Sequence, residues 1–291
     1  MRYTATAAKA RGASRMRKIS LTDGKLSVDI VPDCGGAISA LRWRAPSGQI
    51  YDLLHPAAAG AISGRVANAF SCLPIASFGN IGPQGDVPGD LTEWTVQDAS
   101  NIRATLTAHK EAGALQDPGP AAHWTCQILQ RLELGLNGLR LQLTVTNIGV
   151  QPMPARIGMR LHVSMHDQTI LRGSFAPVAL PGMSASAPAA PSTGSFADGF
   201  SPDGRDVHVC QRNLGREVRF EWPREELALR LILAQGLDFV RLDYNADQCE
   251  LWLTLLSHTG APTADTAGCQ ILQQGDSLEA CLILSAAPMR A

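Results

Sequence analysis

Strict alternation of apolar and polar residues is the feature that most narrows the fold of this chain, and it is clearest in "MPARIGMRLHVSMH", Met153 to His166. Ala155, Ile157, Met159, Leu161, Val163 and Met165 fall on one side. Arg156, Gly158, Arg160, His162, Ser164 and His166 fall on the other. A period of two over that length marks a β-strand with one buried face. The second face is unusual, because it gathers two guanidiniums and two imidazoles and no carboxylate.

The same period recurs along the chain. "KLSVDIVP" and "AISALRW" bracket a Gly35-Gly36 turn, and Asn137-Gly138 is a favoured two-residue hairpin turn inside "HWTCQILQRLELGLNGLRLQLTVTN". "EVRFEW", "LALRLILA", "DFVRLDY", "CELWLTLLSH" and "SLEACLILSA" follow. No window reads as a long amphipathic helix, which excludes the alternating βα pattern of nucleotide-binding folds. Neither a GxGxxG nor a GxxxxGK[ST] stretch is present. The fold class read from these patterns is all-β.

Composition limits the partners. A formal net charge of -1 and 5% aromatic residues give no basis for a nucleic-acid surface or an anionic membrane as partner. No apolar run reaches the roughly 20 residues that span a bilayer. The basic stretch 1–18 lacks the apolar core of a secretory signal and reads as a disordered extension. A single domain is expected over 19–291. Seven scattered cysteines, with no CxxC pair, fit reduced thiols in the cytoplasm and indicate no metal site. Three loops stand out: "HPAAAGAISGRVANAF", "GNIGPQGDVPGDLTE" and the long excursion from Arg172 to Asp206. Loops on a rigid β scaffold commonly wall a binding site.

The order of these elements resembles the aldose 1-epimerase (galactose mutarotase) family from about residue 19 to 287. "IVPDCGGAISALRW" is similar to that family's opening strand, Gly-Gly turn and returning strand, and "SCLPIASFGN" to its "FPLVPYSNR" segment. "MPARIGMRLHVS" lies where the family has "MPxGxGxHPYF", "LLSHTGAPTAD" where it has "EPxSHxxxA", and "QILQQGDSL" resembles its "LxPGES" turn. The resemblance implies an antiparallel β-supersandwich with few short helices and an open sugar cleft. It further implies a small-molecule sugar as partner, no cofactor, and a monomer or homodimer. In the family a glutamate base takes the proton of the anomeric hydroxyl and a histidine acid protonates the ring oxygen. The ring opens and recloses as the other anomer.

Carried over residue by residue, the motifs change chemistry. Arg160 stands at the acid position and Thr254 at the base position. A guanidinium does not release a proton near neutral pH, and a threonine hydroxyl is no base without another beside it. Asn80 is a candidate sugar ligand, but Ile81 replaces the family's arginine. His162, two positions beyond Arg160, and His258, four beyond Thr254, are the candidate displaced acid and base. Arg156 and Arg160 offer forked donors suited to an acidic or phosphorylated sugar. The alternative for these arginines is pairing with Asp243 or Glu250 on neighbouring strands, Asp243 being the acid expected at the cleft. Trp43, Trp94 and Trp252 either stack on a sugar or belong to the core. Two functions follow: an anomer-interconverting enzyme, or a non-catalytic sugar-binding or regulatory module on the same scaffold.

Overall fold

The computed structural model describes residues 17–57, 72–78, 94–113, 123–166, 168–177, 207–258 and 269–289. Those residues form seventeen strands and two short 3-10 turns, Pro32–Cys34 and Pro223–Glu225. All the strand pairs are antiparallel. The all-β reading holds.

Four strands open the chain: β1 (Ile19–Thr22), β2 (Leu26–Val31), β3 (Ala37–Arg44) and β4 (Ile50–Asp52). The Gly35-Gly36 turn joins β2 to β3, with φ of 68° and 66° at the two glycines, a region that residues with a Cβ adopt at a cost. Beyond them the strands fall into two layers. One runs β5 (Cys72–Phe78), β10 (Met153–Val163), β15 (Glu250–Leu256), β14 (Phe239–Asn245) and the first half of β12 (Val207–Trp222). The other runs from the second half of β12 through β13 (Leu227–Gln235), β17 (Ser277–Pro288), β9 (Gly138–Asn147), β8 (His123–Gly135) and β7 (Arg103–Gly113) to β6 (Thr95–Ala99). β11 (Ile170–Pro177) pairs with β12, and β16 (Gln270–Leu272) caps the start of β10.

β12 thus serves both layers, and its ladder changes partner between Arg212 and Glu217. Arg216 sits at that change with φ 55°. The inward faces share one core, in which Leu161 and Leu253 from the first layer join Leu141, Leu231 and Leu282 from the second, all at 1% exposure or less. Burial of this kind contributes about 25 cal/mol per Å² of apolar surface and is the main term holding the layers together.

One turn differs from the sequence expectation. The β8–β9 hairpin closes at Gly135 opposite Gly138, so Leu136 and Asn137 form its tip. Gly138 opens β9 with φ 111°, and a Cβ there would run into the Leu284 carbonyl of β17. The glycine is needed, but one place later in the turn than the Asn-Gly pattern predicts.

β10 lies between β5 and β15, and Gly158 at its centre faces Leu256. A Cβ on Gly158 would press into the Leu255 carbonyl oxygen and come within 2.9 Å of a Leu256 methyl. Replacing Gly158 with alanine is therefore expected to lower unfolding free energy by about 1–3 kcal/mol, the usual cost of overpacking. Urea unfolding checks this: a lower midpoint at unchanged slope is expected, and an unchanged midpoint contradicts the close approach.

Candidate functional site

Register builds the site. Opposed residues on antiparallel strands project to the same face with Cβ atoms about 4.5–5.5 Å apart. Arg160 of β10 opposes Thr254 of β15, which opposes Arg241 of β14. His162 opposes Trp252, which opposes Asp243. Gly158, Leu256 and Phe239 form the next row. The two positions expected to carry acid and base in a mutarotase-like site are therefore direct neighbours, and they hold a guanidinium and a hydroxyl.

Burial is deeper than a solvent-facing sheet would show. Arg156 and His162 are each 3% exposed and Thr254 2%. The His162 ring stacks on Trp252, with centres 4.0 Å apart and planes 18° apart. His55 lies against the same imidazole at 4.4 Å. Its backbone N–H donates to the His162 carbonyl at 2.8 Å, which fixes the second histidine in place. Arg160 sets its Cζ 4.5 Å from the centre of the Trp252 ring, a cation–π contact. Trp43 and Trp94 belong to the core, and Trp252, 6% exposed, packs between His162 and Arg160 on the other face of β15.

Protonating His162 would place a further positive charge beside two basic groups. Burial, then His55, then Arg160 push its pKa down to about 4. Its Nδ1 is buried without a hydrogen-bond partner among the described residues. The ring is neutral at neutral pH, so it is a poor proton donor to a sugar ring oxygen.

His258 belongs to the other end of this face. Its Nδ1 is 3.0 Å from the Ser257 hydroxyl, which in turn accepts the Ile157 N–H at 3.1 Å. Burial lowers its pKa first; Asp238 opposes that and Arg156 reinforces it. His162 opposes Trp252, six residues before His258. At about 3.3 Å per residue that separation is far too long for both imidazoles to act on one sugar ring. His166 pairs with Glu225 at 3.5 Å, away from the sheet rows. Both His166 and His258 are half-buried.

The acids on this face are already engaged. Arg241 donates from Nε to Asp243 at 3.1 Å, and Trp252 donates its indole N–H to Glu250 at 3.5 Å. Arg241, two residues from Asp243 on the same strand, is one partner of that carboxylate. Asn80 and the loops 58–71, 79–93 and 178–206 lie outside the described residues. His55 escaped the sequence reading, and the only hint was its place at the head of the first long loop. Among the described residues no three His, Cys, Asp or Glu side chains gather as a metal ion would require, and no helix is long and apolar enough to cross a membrane.

No protein-family model matches the chain, and no curated protein matches it. Solved structures do. A candidate aldose 1-epimerase from Escherichia coli K12 superposes with TM-score 0.74 at 18% identity, over 94% of this chain and 100% of that one. A galactose mutarotase-like protein from Clostridium acetobutylicum gives 0.71 at 13% identity, over 94% and 96%. A protein from Synechocystis sp. PCC 6803 gives 0.69 at 13%, over 97% and 100%. At these identities the likeness establishes the fold, a galactose mutarotase-like β-sandwich.

Because His162 resists protonation in the folded protein, the unfolded chain binds a proton between about pH 4 and 6.5 that the native chain does not. Stability is complete above that window and falls as pH drops through it, by about 3 kcal/mol for the full shift. His258 acts with the same sign. Urea unfolding at pH 5 and pH 7 is expected to show this loss, and His162→Asn to flatten it. Equal wild-type stability at the two values contradicts the assignment.

Proposed function

We propose that this protein is a carbohydrate-active member of the aldose 1-epimerase-like group. In this reading an aldose lies over the β10, β15 and β14 face, recognised through cations. The observation that carries it is the row Arg160, Thr254, Arg241, which puts a guanidinium on either side of a hydroxyl, that of Arg241 shared with Asp243. Such donors fit the carboxylate of a sugar acid or the phosphate of a sugar ester better than the hydroxyls of a neutral hexose.

Recognition has more support than turnover. Ring opening needs a proton donor at the ring oxygen and an acceptor at the anomeric hydroxyl. Arg160 does not release a proton, Thr254 has no base opposed to it, and His162 is held neutral. The same scaffold acting as a sugar-binding or regulatory module is therefore the preferred form of the proposal. The enzymatic form is retained for one observation: His162 and Asp243 share a row with only Trp252 between them. Adjacent strands are about 4.8 Å apart, which leaves their backbones about 10 Å apart, a span that a pyranose ring can bridge.

The seven cysteines are all free thiols, which supports a reducing, cytoplasmic setting.

Calorimetric titration with glucuronate, glucose 6-phosphate and glucose tests the reading. Tighter binding of at least one acidic sugar than of glucose is expected. Arg160→Ala is expected to weaken it about 10- to 100-fold, in line with about 1.5–3 kcal/mol for a charged hydrogen bond. Indifference to all three ligands, or binding that Arg160→Ala leaves unchanged, overturns it.

A further inference from the structure

The second layer carries a groove of its own on its solvent face, over β7, β8 and β9, with a volume of about 470 Å³. That is within the range of small-molecule sites. Register places Arg103, Glu133 and Arg140 in one row and Thr105, Arg131 and Gln142 in the next. All six line the groove.

A charged sheet face ordinarily satisfies itself by pairing opposite charges across the strands. This one does so only in part. Arg103 pairs with Asp98 of β6, which also lines the groove, donating from Nε at 3.1 Å and from Nη2 at 2.8 Å, and Glu133 stands between Arg103 and Arg140. Arg131, Arg140 and Glu133 form no ion pair or side-chain hydrogen bond among the described residues. Arg131 and Arg140 are diagonal neighbours, about 7–8 Å apart at Cα. Two guanidiniums at that spacing repel each other, and an anion between them relieves the repulsion while receiving two forked donors. Around them the Gln142 amide, the Thr105 hydroxyl and the Glu133 carboxylate offer partners for hydroxyl groups.

We propose that this groove is a second binding site, for a small saccharide bearing a carboxylate. The carboxylate lies against Arg131 and Arg140, and the sugar hydroxyls face Gln142, Thr105 and Glu133. Glu133 disfavours dense polyanions, which would bring further negative charge against it. The site is independent of the Arg160 cleft, since it lies on the other layer and uses no residue of that cleft.

The test is titration of the full chain with glucuronate, followed by calorimetry and by backbone amide shifts, with glucose as the neutral control. The wild type is expected to shift amides of β8 and β9. The Arg131→Gln/Arg140→Gln variant is expected to weaken that event at least tenfold. Both side chains are exposed, so an unchanged far-ultraviolet circular dichroism spectrum and melting temperature serve as the folding control. Glucuronate binding that the double variant leaves unchanged, or no glucuronate binding by the wild type, overturns the inference. A single binding event lost in the double variant and kept in Arg160→Ala sustains it, and overturns the Arg160 cleft as a glucuronate site.

Discussion

Everything at the candidate cleft depends on the register of β10 against β15. In an antiparallel ladder a slip of one residue sends every side chain to the opposite face. The apolar set from Met153 to Val163 is fully committed to the core, so no such slip is tolerated. Anchoring that set fixes the other: Arg156, Arg160 and His162 must share the face that Thr254 and Trp252 present from the next strand. The hydrophobic core thereby sets the chemistry of this face.

Gathering cations on a largely buried face raises an electrostatic problem, and the fold resolves it by two means. His162 stays neutral, because burial and two neighbouring basic groups disfavour its proton. Arg160 keeps its charge but sets its guanidinium over the Trp252 ring, whose π face attracts a cation. Trp252 is also flanked by His162, so one indole serves both solutions. Together these set a neutral imidazole and a guanidinium against one indole. The fold alone does not decide what this face does, because function resides in the site rather than in the scaffold.

The sequence carried the architecture well. Period-two alternation located β10, β15 and β17 directly, and the motif order put Arg160 and Thr254 at the acid and base positions of one site, where the ladder sets them opposite each other. What it missed were contacts that no period encodes. His55 reaches His162 through a bridge between Leu54 and Val163, residues far apart in the chain. The pairing of Asp243 with Arg241 on its own strand depends on rotamers, which alternation does not report. The hairpin tip moved by one residue because Gly138 answers to the β17 backbone behind it, a tertiary demand that outweighs the local Asn-Gly preference.

Exchange between sugar anomers, followed by saturation-transfer NMR on galactose and on glucuronate with and without the protein, examines the central claim most directly. A face with a neutral buried imidazole, a guanidinium and a lone hydroxyl predicts exchange at the uncatalysed rate for both sugars across neutral pH. Acceleration that disappears in His162→Asn or Asp243→Asn would contradict it, and would identify this row as a working acid/base pair.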